Sequence, residues 1–314
     1  MKLSVIIPCY NEEETVSPLF DELCEVFGER RIDFGVVFVD DGSKDSTSKE
    51  LAAIAKRAEC PVKVVCFSRN FGKEAAIYAG LEQSEGEYTA IMDGDMQHPP
   101  QVVADMVEYL DSHPETDSVA GVQNKRIEGC VLSFFKRSFY KIINSAASVE
   151  FVSGASDFRV LRRPMVDAIL SVSEYYRFSK GIFSYVGFDT HYMDYVARER
   201  GGGKTKWSFR KLFRYAMDGI IGYTTAPLKF LTTTGTIISI ASFCYLIFIV
   251  LKKLIIGDSV AGFATLASLI LLLGGIQILG LGIIGEYVGR NYVETKRRPI
   301  YIAKRIIKND DKEA

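Results

Sequence analysis

The sequence has no G-x-G-x-x-G after its first apolar run and no G-x-x-x-x-G-K-[ST] anywhere, so dinucleotide-binding and P-loop modes of phosphate binding find no support. Its six cysteines (9, 24, 60, 66, 130 and 244) lack paired or metal-type spacing, which fits a reducing compartment. There is no internal repeat and no low-complexity tract. The opening MKLSVIIPCYNEEE contains an apolar run too short for the core of a signal peptide. Net charge is almost absent, at −1 over 314 residues, but that total conceals a division. Residues 1–195 carry 20 Lys+Arg against 31 Asp+Glu, whereas residues 196–314 carry 18 against 8. An acidic front and a basic back suggest that one end faces an anionic surface.

Charge is also missing from two long runs. Residues 230–251 (FLTTTGTIISIASFCYLIFIVL) and 260–285 are uncharged over 22 and 26 positions. Each exceeds the ~20 helical residues needed to cross a hydrocarbon core of about 30 Å. Two helices buried in a soluble core are the alternative, but such helices rarely stay uncharged for so long. KKLIIGDS joins the runs closely enough to force a hairpin. Arg198, Arg200, Lys204, Lys206, Arg210, Lys211 and Arg214 precede it, and Arg290, Lys296, Arg297, Arg298, Lys304 and Arg305 follow it. Positive-inside bias therefore places both termini in the cytoplasm, with two spans in the cell (inner) membrane. The expected organisation is a catalytic domain over 1–205, a juxtamembrane amphipathic segment over 206–228, a transmembrane hairpin over 229–288 and a basic tail over 289–314. Residues 131–143 and 206–221 mix aromatic and basic residues as interfacial helices do, although packing on the core suits the first equally well.

Ahead of the hairpin, β-branched runs alternate with helical patterns. LSVIIPC (3–9), FGVVFVD (34–40), VKVVCF (62–67), YTAIMD (88–93) and DSVAGV (117–122) read as strands; helical stretches lie near 12–28, 46–59, 72–84 and 100–112. Such alternation implies an α/β fold with a mainly parallel sheet flanked by helices. Ligands in these sheets sit beyond the carboxyl ends of the strands. The polar clusters fall there: Pro8-Cys9-Tyr10-Asn11-Glu12, then DDGSKDST from Asp40, SRNFGKEA from Ser68, and DGDMQHPP from Asp93. Magnesium takes one or two hard carboxylates and completes its shell with water and substrate phosphates. Asp93 and Asp95, with Gln97 as a neutral neighbour, offer that face. Taken singly, D-x-D also serves as a plain turn before a Pro-started helix, and Asp45 or Ser46 could simply cap the next helix. His98 reads as a turn residue.

SVIIPCYNEEE, FVDDGSKDST, SRNFGKEAA, IMDGDMQHPP, SDFRVL, KTKWSFRKL and GIIGEYVGR, followed by KRRPIYI, occur in that order. Together they resemble family 2 glycosyltransferases acting on polyisoprenyl phosphates, the dolichol-phosphate mannosyltransferases and bacterial undecaprenyl-phosphate (bactoprenol) glucosyltransferases. The two-span hairpin is more similar to the bacterial branch. The resemblance implies a GT-A-type fold, a Mg²⁺ or Mn²⁺ cofactor, and inverting transfer of a hexose, glucose above others, from a nucleotide sugar (UDP- ahead of GDP-) to polyisoprenyl phosphate at the bilayer. It implies that Pro8, Tyr10, Glu12, Asp40 and Asp41 hold the nucleoside, that Arg69 and Lys73 contact the donor, and that Asp93 meets ribose or diphosphate. Asp95 with Gln97, and Asp93 beside them, would bind the metal. Asp157 would lie where acceptor meets sugar, with Arg200 and Lys206 near the acceptor phosphate. The chain departs from the family at Ser156 for the usual Gly, His98 for the usual Asp, and Thr205 for the usual Ser.

A lipid phosphate is largely dianionic at neutral pH, since its second pKa lies near ~6, so it needs positioning more than deprotonation. Asp157 is accordingly either a base or a salt-bridge partner of Arg159. Arg200 and Lys206 suit an acceptor phosphate and a juxtamembrane patch facing anionic lipid equally well. The other readings are a same-fold transferase using a different lipid acceptor, such as diacylglycerol, and a non-catalytic membrane partner that binds nucleotide sugars. A single hairpin is too little to build the export channel of a processive synthase. A homo-oligomer is compatible with the sequence, and no nucleic acid is expected as partner.

Overall fold

A computed structural model describes residues 1–123, 155–198, 224–256 and 262–309. The elements in chain order are β1 (Leu3–Cys9), α1 (Val16–Glu29), β2 (Phe34–Asp40), α2 (Thr47–Arg57), β3 (Val62–Phe67), α3 (Lys73–Gln83), β4 (Tyr88–Ile91), α4 (Pro100–Ser112), β5 (Ser118–Gln123), β6 (Ala155–Arg162), α5 (Arg163–Ser171), α6 (Ser179–Tyr185), β7 (Thr190–Tyr195), α7 (Ala226–Ile256), α8 (Phe263–Thr295) and β8 (Ala303–Lys308). The strands form one sheet in the order β7-β5-β6-β4-β1-β2-β3-β8.

β1 pairs in parallel with β2 and β4, and β2 with β3. Chain order therefore runs outward from β1 through β2 to β3, then reverses to place β4 on the other side of β1. That reversal opens a crevice at the carboxyl ends of β1 and β4, where doubly wound sheets bind ligands. β6 runs antiparallel to β4 and β5.

The central strands are buried on both faces, which explains their near-continuous apolar runs. Leu3, Val5, Ile7, Val36 and Phe38 pack on α1, α2 and α4, while Ile6, Val37, Val39 and Val65 pack on α3, α5 and α6. Burying each such side chain contributes roughly 1.5–3 kcal/mol. α3 approaches β1 so closely that a Cβ on Gly80 would stand 2.1 Å from Ile6 Cγ2.

Two boundaries differ from the sequence reading. α1 starts at Val16 rather than near 12, because Asn11 adopts a left-handed φ of 54° and the segment bonds to the loop after β2 instead. β4 ends at Ile91 rather than 93, because the Asp93 amide turns away from the sheet.

The tail differs more. Residues 303–308 form an edge strand antiparallel to β3, with Ile307 opposite Val64 and Lys308 opposite Lys63. Tyr301 stacks on Phe67 at 4.8 Å, and Asn309 bonds the Val62 N–H and the Cys60 carbonyl.

α7 contains the first uncharged run and α8 contains the second from Phe263 onward. Among the described residues, the helical stretch Leu272–Thr295 is long and apolar enough to cross a membrane, and almost none of it is buried in the protein. The last turns of α8 contact the loop after α5: Glu294 Oε1 accepts the Tyr175 N–H at 2.9 Å, and the Arg290 guanidinium lies 5.1 Å from the Tyr176 ring.

Candidate active site

The loops after β1, β2 and β3 are tied into one rim. The Asn11 N–H donates to Ser43 Oγ at 3.0 Å, the Lys44 N–H to Asn11 Oδ1 at 2.9 Å, and the Glu12 N–H to Thr47 Oγ1 at 2.9 Å. Asp40, buried at the end of β2, accepts the Ser43 N–H at 2.9 Å. Asp41 Oδ1 accepts the Phe71 N–H at 2.6 Å, and Oδ2 accepts the Gly72 N–H at 3.0 Å. Burial pushes the Asp41 carboxyl up to about 6, against the two amides that favour its charge and with the help of neighbouring Asp40. Gly42 permits this closeness: its φ is +66°, and a Cβ there would stand 2.5 Å from the Arg69 carbonyl carbon. Pro8, Tyr10 and Glu12 are half-buried on the same rim, and exposed Arg69 lies over the Phe71 ring at 4.0 Å.

The carboxylate turn lies in the crevice. Gly94 sits over the end of β1, its Cβ position 3.5 Å from Cys9 Sγ and the Pro8 carbonyl. Buried Asp95 accepts the Gln97 N–H at 3.2 Å, and Met96 takes a left-handed φ of 62°. The Asp93 N–H donates to His98 Nδ1 at 3.0 Å. The His98 ring, buried, stacks on Phe158 at 4.3 Å and meets Tyr195 edge-on at 5.9 Å. Burial lowers its pKa, so the imidazole is neutral, with its proton on Nε2.

Asp157 reaches the same place through strand register. Ile91 of β4 stands opposite Arg159 of β6, so two further residues on each chain bring Asp93 and Asp157 together. Lys73, the first residue of α3, bridges them: Nζ lies 2.7 Å from Asp93 Oδ1 and 3.2 Å from Asp157 Oδ2. Desolvation opposes the Lys73 charge, but the two carboxylates outweigh it and raise its pKa. Burial likewise opposes the charge on Asp157, yet Lys73 and Lys180 hold it below the usual carboxylate range. Asp157 Oδ1 is buried without a hydrogen-bond partner among the described residues. Arg159 does not bond Asp157 there; it donates to the Ser156 carbonyl at 3.0 Å and lies 3.7 Å over Phe183.

Of the residues singled out from sequence, Lys73, Asp93 and Asp157 make direct contact. Asp40, Asp41 and Asp95 share the rim, and Arg200 and Lys206 lie outside the described residues, as do the aromatic-basic segments 131–143 and 206–221. Arg198, two positions before Arg200, donates its N–H to the Gln97 carbonyl at 3.2 Å. Three participants escaped sequence reasoning: His98, Lys180 and Glu74. Glu74 accepts the N–H and Oγ–H of Ser179, and burial plus the charge of Asp157 raise its pKa to about 7. Adjacency to Lys73 was the one available pointer to Glu74.

Two carboxylates on one turn suit a hard divalent cation that shares its shell with a diphosphate. Among the described residues no cluster of three or more His, Cys, Asp or Glu is arranged to hold a metal by itself.

Residues 4–170 match the family model "Glycosyl transferase family 2", and residues 226–290 match "GtrB C-terminal hairpin". The chain is 43% identical over 306 residues to a putative glycosyltransferase, CsbB, of Bacillus subtilis, covering 96% of this chain and 91% of that one. It is 36% identical to a prophage bactoprenol glucosyl transferase homolog of Escherichia coli, covering 98% and 100%. A solved mannosyl-3-phosphoglycerate synthase from Rubrobacter xylanophilus shares the fold, with TM-score 0.51 at 16% identity over 75% of each chain. With a doubly wound sheet, a carboxylate turn at its switch point and a C-terminal apolar hairpin, the chain belongs to glycosyltransferase family 2.

Proposed function

We propose that this protein transfers a hexose, glucose by the names of its relatives, from a UDP-sugar to polyisoprenyl (undecaprenyl) phosphate at the cytoplasmic face of the membrane, with inversion. The observation that carries this is the Lys73 bridge, which joins a carboxylate of the donor-side turn to one on β6 at a single point. Full-length likeness to bactoprenol glucosyl transferases supports the acceptor. β8 is consistent with the two-span topology: it lies in the sheet that contains β1, which puts both ends of the intervening chain on one side of any bilayer it enters.

In the reaction an oxygen of the acceptor phosphate attacks the anomeric carbon from the face opposite the leaving group. The new C–O bond forms as the bond to the nucleoside diphosphate breaks, and that electron pair leaves with the diphosphate. Asp41 and the β1 and β2 loops hold the nucleoside. Asp95, Asp93 and Gln97 would hold Mg²⁺ or Mn²⁺, which neutralises charge on the diphosphate when bound. Lys73 supplies a fixed positive charge beside the reacting groups. Asp157, 3.2 Å from Lys73 Nζ, is assigned the role of anchoring that charge, since a dianionic acceptor phosphate has little need of a base. Arg200 and Lys206 are assigned to the acceptor phosphate.

The test incubates full-length protein in detergent with Mn²⁺, undecaprenyl phosphate and radiolabelled UDP- and GDP-sugars, counting label in the organic phase. Label from UDP-glucose, abolished by EDTA or by Asp95→Ala, is expected. Donor binding without organic-phase label from any donor would overturn the reading in favour of a non-catalytic binder.

A further inference from the structure

We propose that His98 is the positioning residue of the carboxylate turn: its Nδ1 holds the Asp93 amide while its ring is clamped by Phe158 and Tyr195, so the turn and the strand carrying Asp157 move as one unit. The inference rests on the reading of Asp93 and Asp95 as the metal and diphosphate carboxylates.

The last ladder bond in continuation of β4 is the Met92 N–H to the Ile6 carbonyl at 3.1 Å. The next amide, Asp93, goes to His98 at 3.0 Å. From there the chain must swing two carboxylates over the end of β1 within three residues, and the next, Met96, takes a left-handed φ that costs a non-glycine residue about 1 kcal/mol or more. A turn so strained keeps one shape only if its surroundings impose it. His98 supplies that constraint from five residues along the chain, closing the loop upon itself.

The ring's other contacts reach across the site. Phe158, buried beneath it with an interplanar angle of 11°, immediately follows Asp157 on β6. Tyr195 of β7 abuts both rings, 5.1 Å from Phe158. Ser156 Oγ locks the same strand, donating to the Gly121 carbonyl at 3.1 Å and accepting the Phe158 N–H at 3.3 Å. Two of the three departures from the family pattern, His98 and Ser156, therefore meet around one aromatic pair. Any displacement of the His98 ring moves Asp93 on one side and the support of Asp157 on the other, and Lys73 spans the same gap.

The acceptor atom is what matters, so isosteres separate its role from ring packing. An asparagine amide can place Oδ1 where Nδ1 stands, whereas phenylalanine keeps the stack and removes the acceptor. Transfer by the full chain in detergent is measured against Mn²⁺ concentration for wild type, His98→Asn and His98→Phe, with apparent Tm for each. The expected result for His98→Phe is a half-saturating Mn²⁺ concentration raised about tenfold, the effect of roughly one lost hydrogen bond, with Tm lowered by only about 2–5 °C. His98→Asn should return it to within about threefold on the same scale. A His98→Phe protein with the wild-type Mn²⁺ response, or an Asn variant as impaired as Phe, would overturn the proposal while leaving the proposed function intact. A wild type indifferent to divalent cations would overturn both. Phe158→Leu, which thins the stack and spares the hydrogen bond, should give a smaller shift in the same direction if His98→Phe does not fold.

Discussion

Lys73→Met tests whether one ammonium organises the site. Methionine keeps the apolar stem of the side chain and deletes its charge. Two ion pairs are lost, and they differ in environment. Asp93 is 33% exposed and Lys73 is 43% exposed, so water screens the 2.7 Å contact and its loss costs about 1 kcal/mol or less. Asp157 is 14% exposed, and its charge would be left with Oδ1 already unpartnered. Stripping one partner from a fully buried pair costs ~3–5 kcal/mol; reduced for the exposure of Lys73, about 1–2 kcal/mol remains. The total is about 1–3 kcal/mol, which for a unit of this size lowers Tm by roughly 2–10 °C. Differential scanning fluorimetry in detergent, with EDTA and then with Mn²⁺ plus UDP, reads it directly. Ligands that bring positive charge to Asp93 should recover part of the loss, leaving the share due to Asp157. A variant melting within about 1 °C of wild type under both conditions would show that the bridge is a solvated surface contact, and would refute the role assigned to Lys73 and Asp157.

Donor use should fall on acidification through the region of Asp41, whose carboxyl is raised to about 6 by burial. Above that pH it is an anion able to accept a nucleobase N–H; below it a proton occupies the oxygen, so kcat/KM for the donor should decline with unit slope, and Asp41→Asn should flatten that limb at a lower plateau. The stability sign is opposite: because the folded pKa exceeds the ordinary value near ~3.9, this group's contribution declines as pH rises from about 4 to about 6. Gly42→Ala forces a Cβ to 2.5 Å from the Arg69 backbone at a φ of +66°. Relief requires the loops after β2 and β3 to part, so KM for the donor should rise at least about tenfold, the effect of ~1.4 kcal/mol, with little change in far-UV circular dichroism.

Much of the fold was readable because local and global preferences agree. The first four strands are β-branched runs buried on both faces, and the polar clusters after them face the crevice at the sheet's switch point. Membrane association was equally plain, since no soluble helix needs so long an uncharged run. What escaped depends on distant chain. β8 reads AKRIIK, in which two isoleucines sit among three basic residues; on an exposed edge such charges block further pairing, yet in sequence they resemble a solvated tail. The Lys73 bridge depends on the antiparallel register of β4 and β6, which no local pattern encodes. His98 looked like a turn residue because turn chemistry explains a histidine before two prolines, and its stacking partners come from two strands far along the chain.

The final strand also sets an order of assembly. Val62 and Asn309 are bonded across 247 positions, so the edge of β3 stays open until the ribosome has made everything between them, the apolar hairpin included. Closing so long a loop is a late event in folding. The Phe67–Tyr301 stack and the Ser68 N–H to Ile302 carbonyl bond, which brace the start of the loop leading to Lys73, form only then. A nascent chain therefore completes this flank of its catalytic crevice only after its hairpin exists to be inserted. The crevice is therefore never fully braced before the apolar hairpin has been synthesised, and the order of translation sets when this flank is complete.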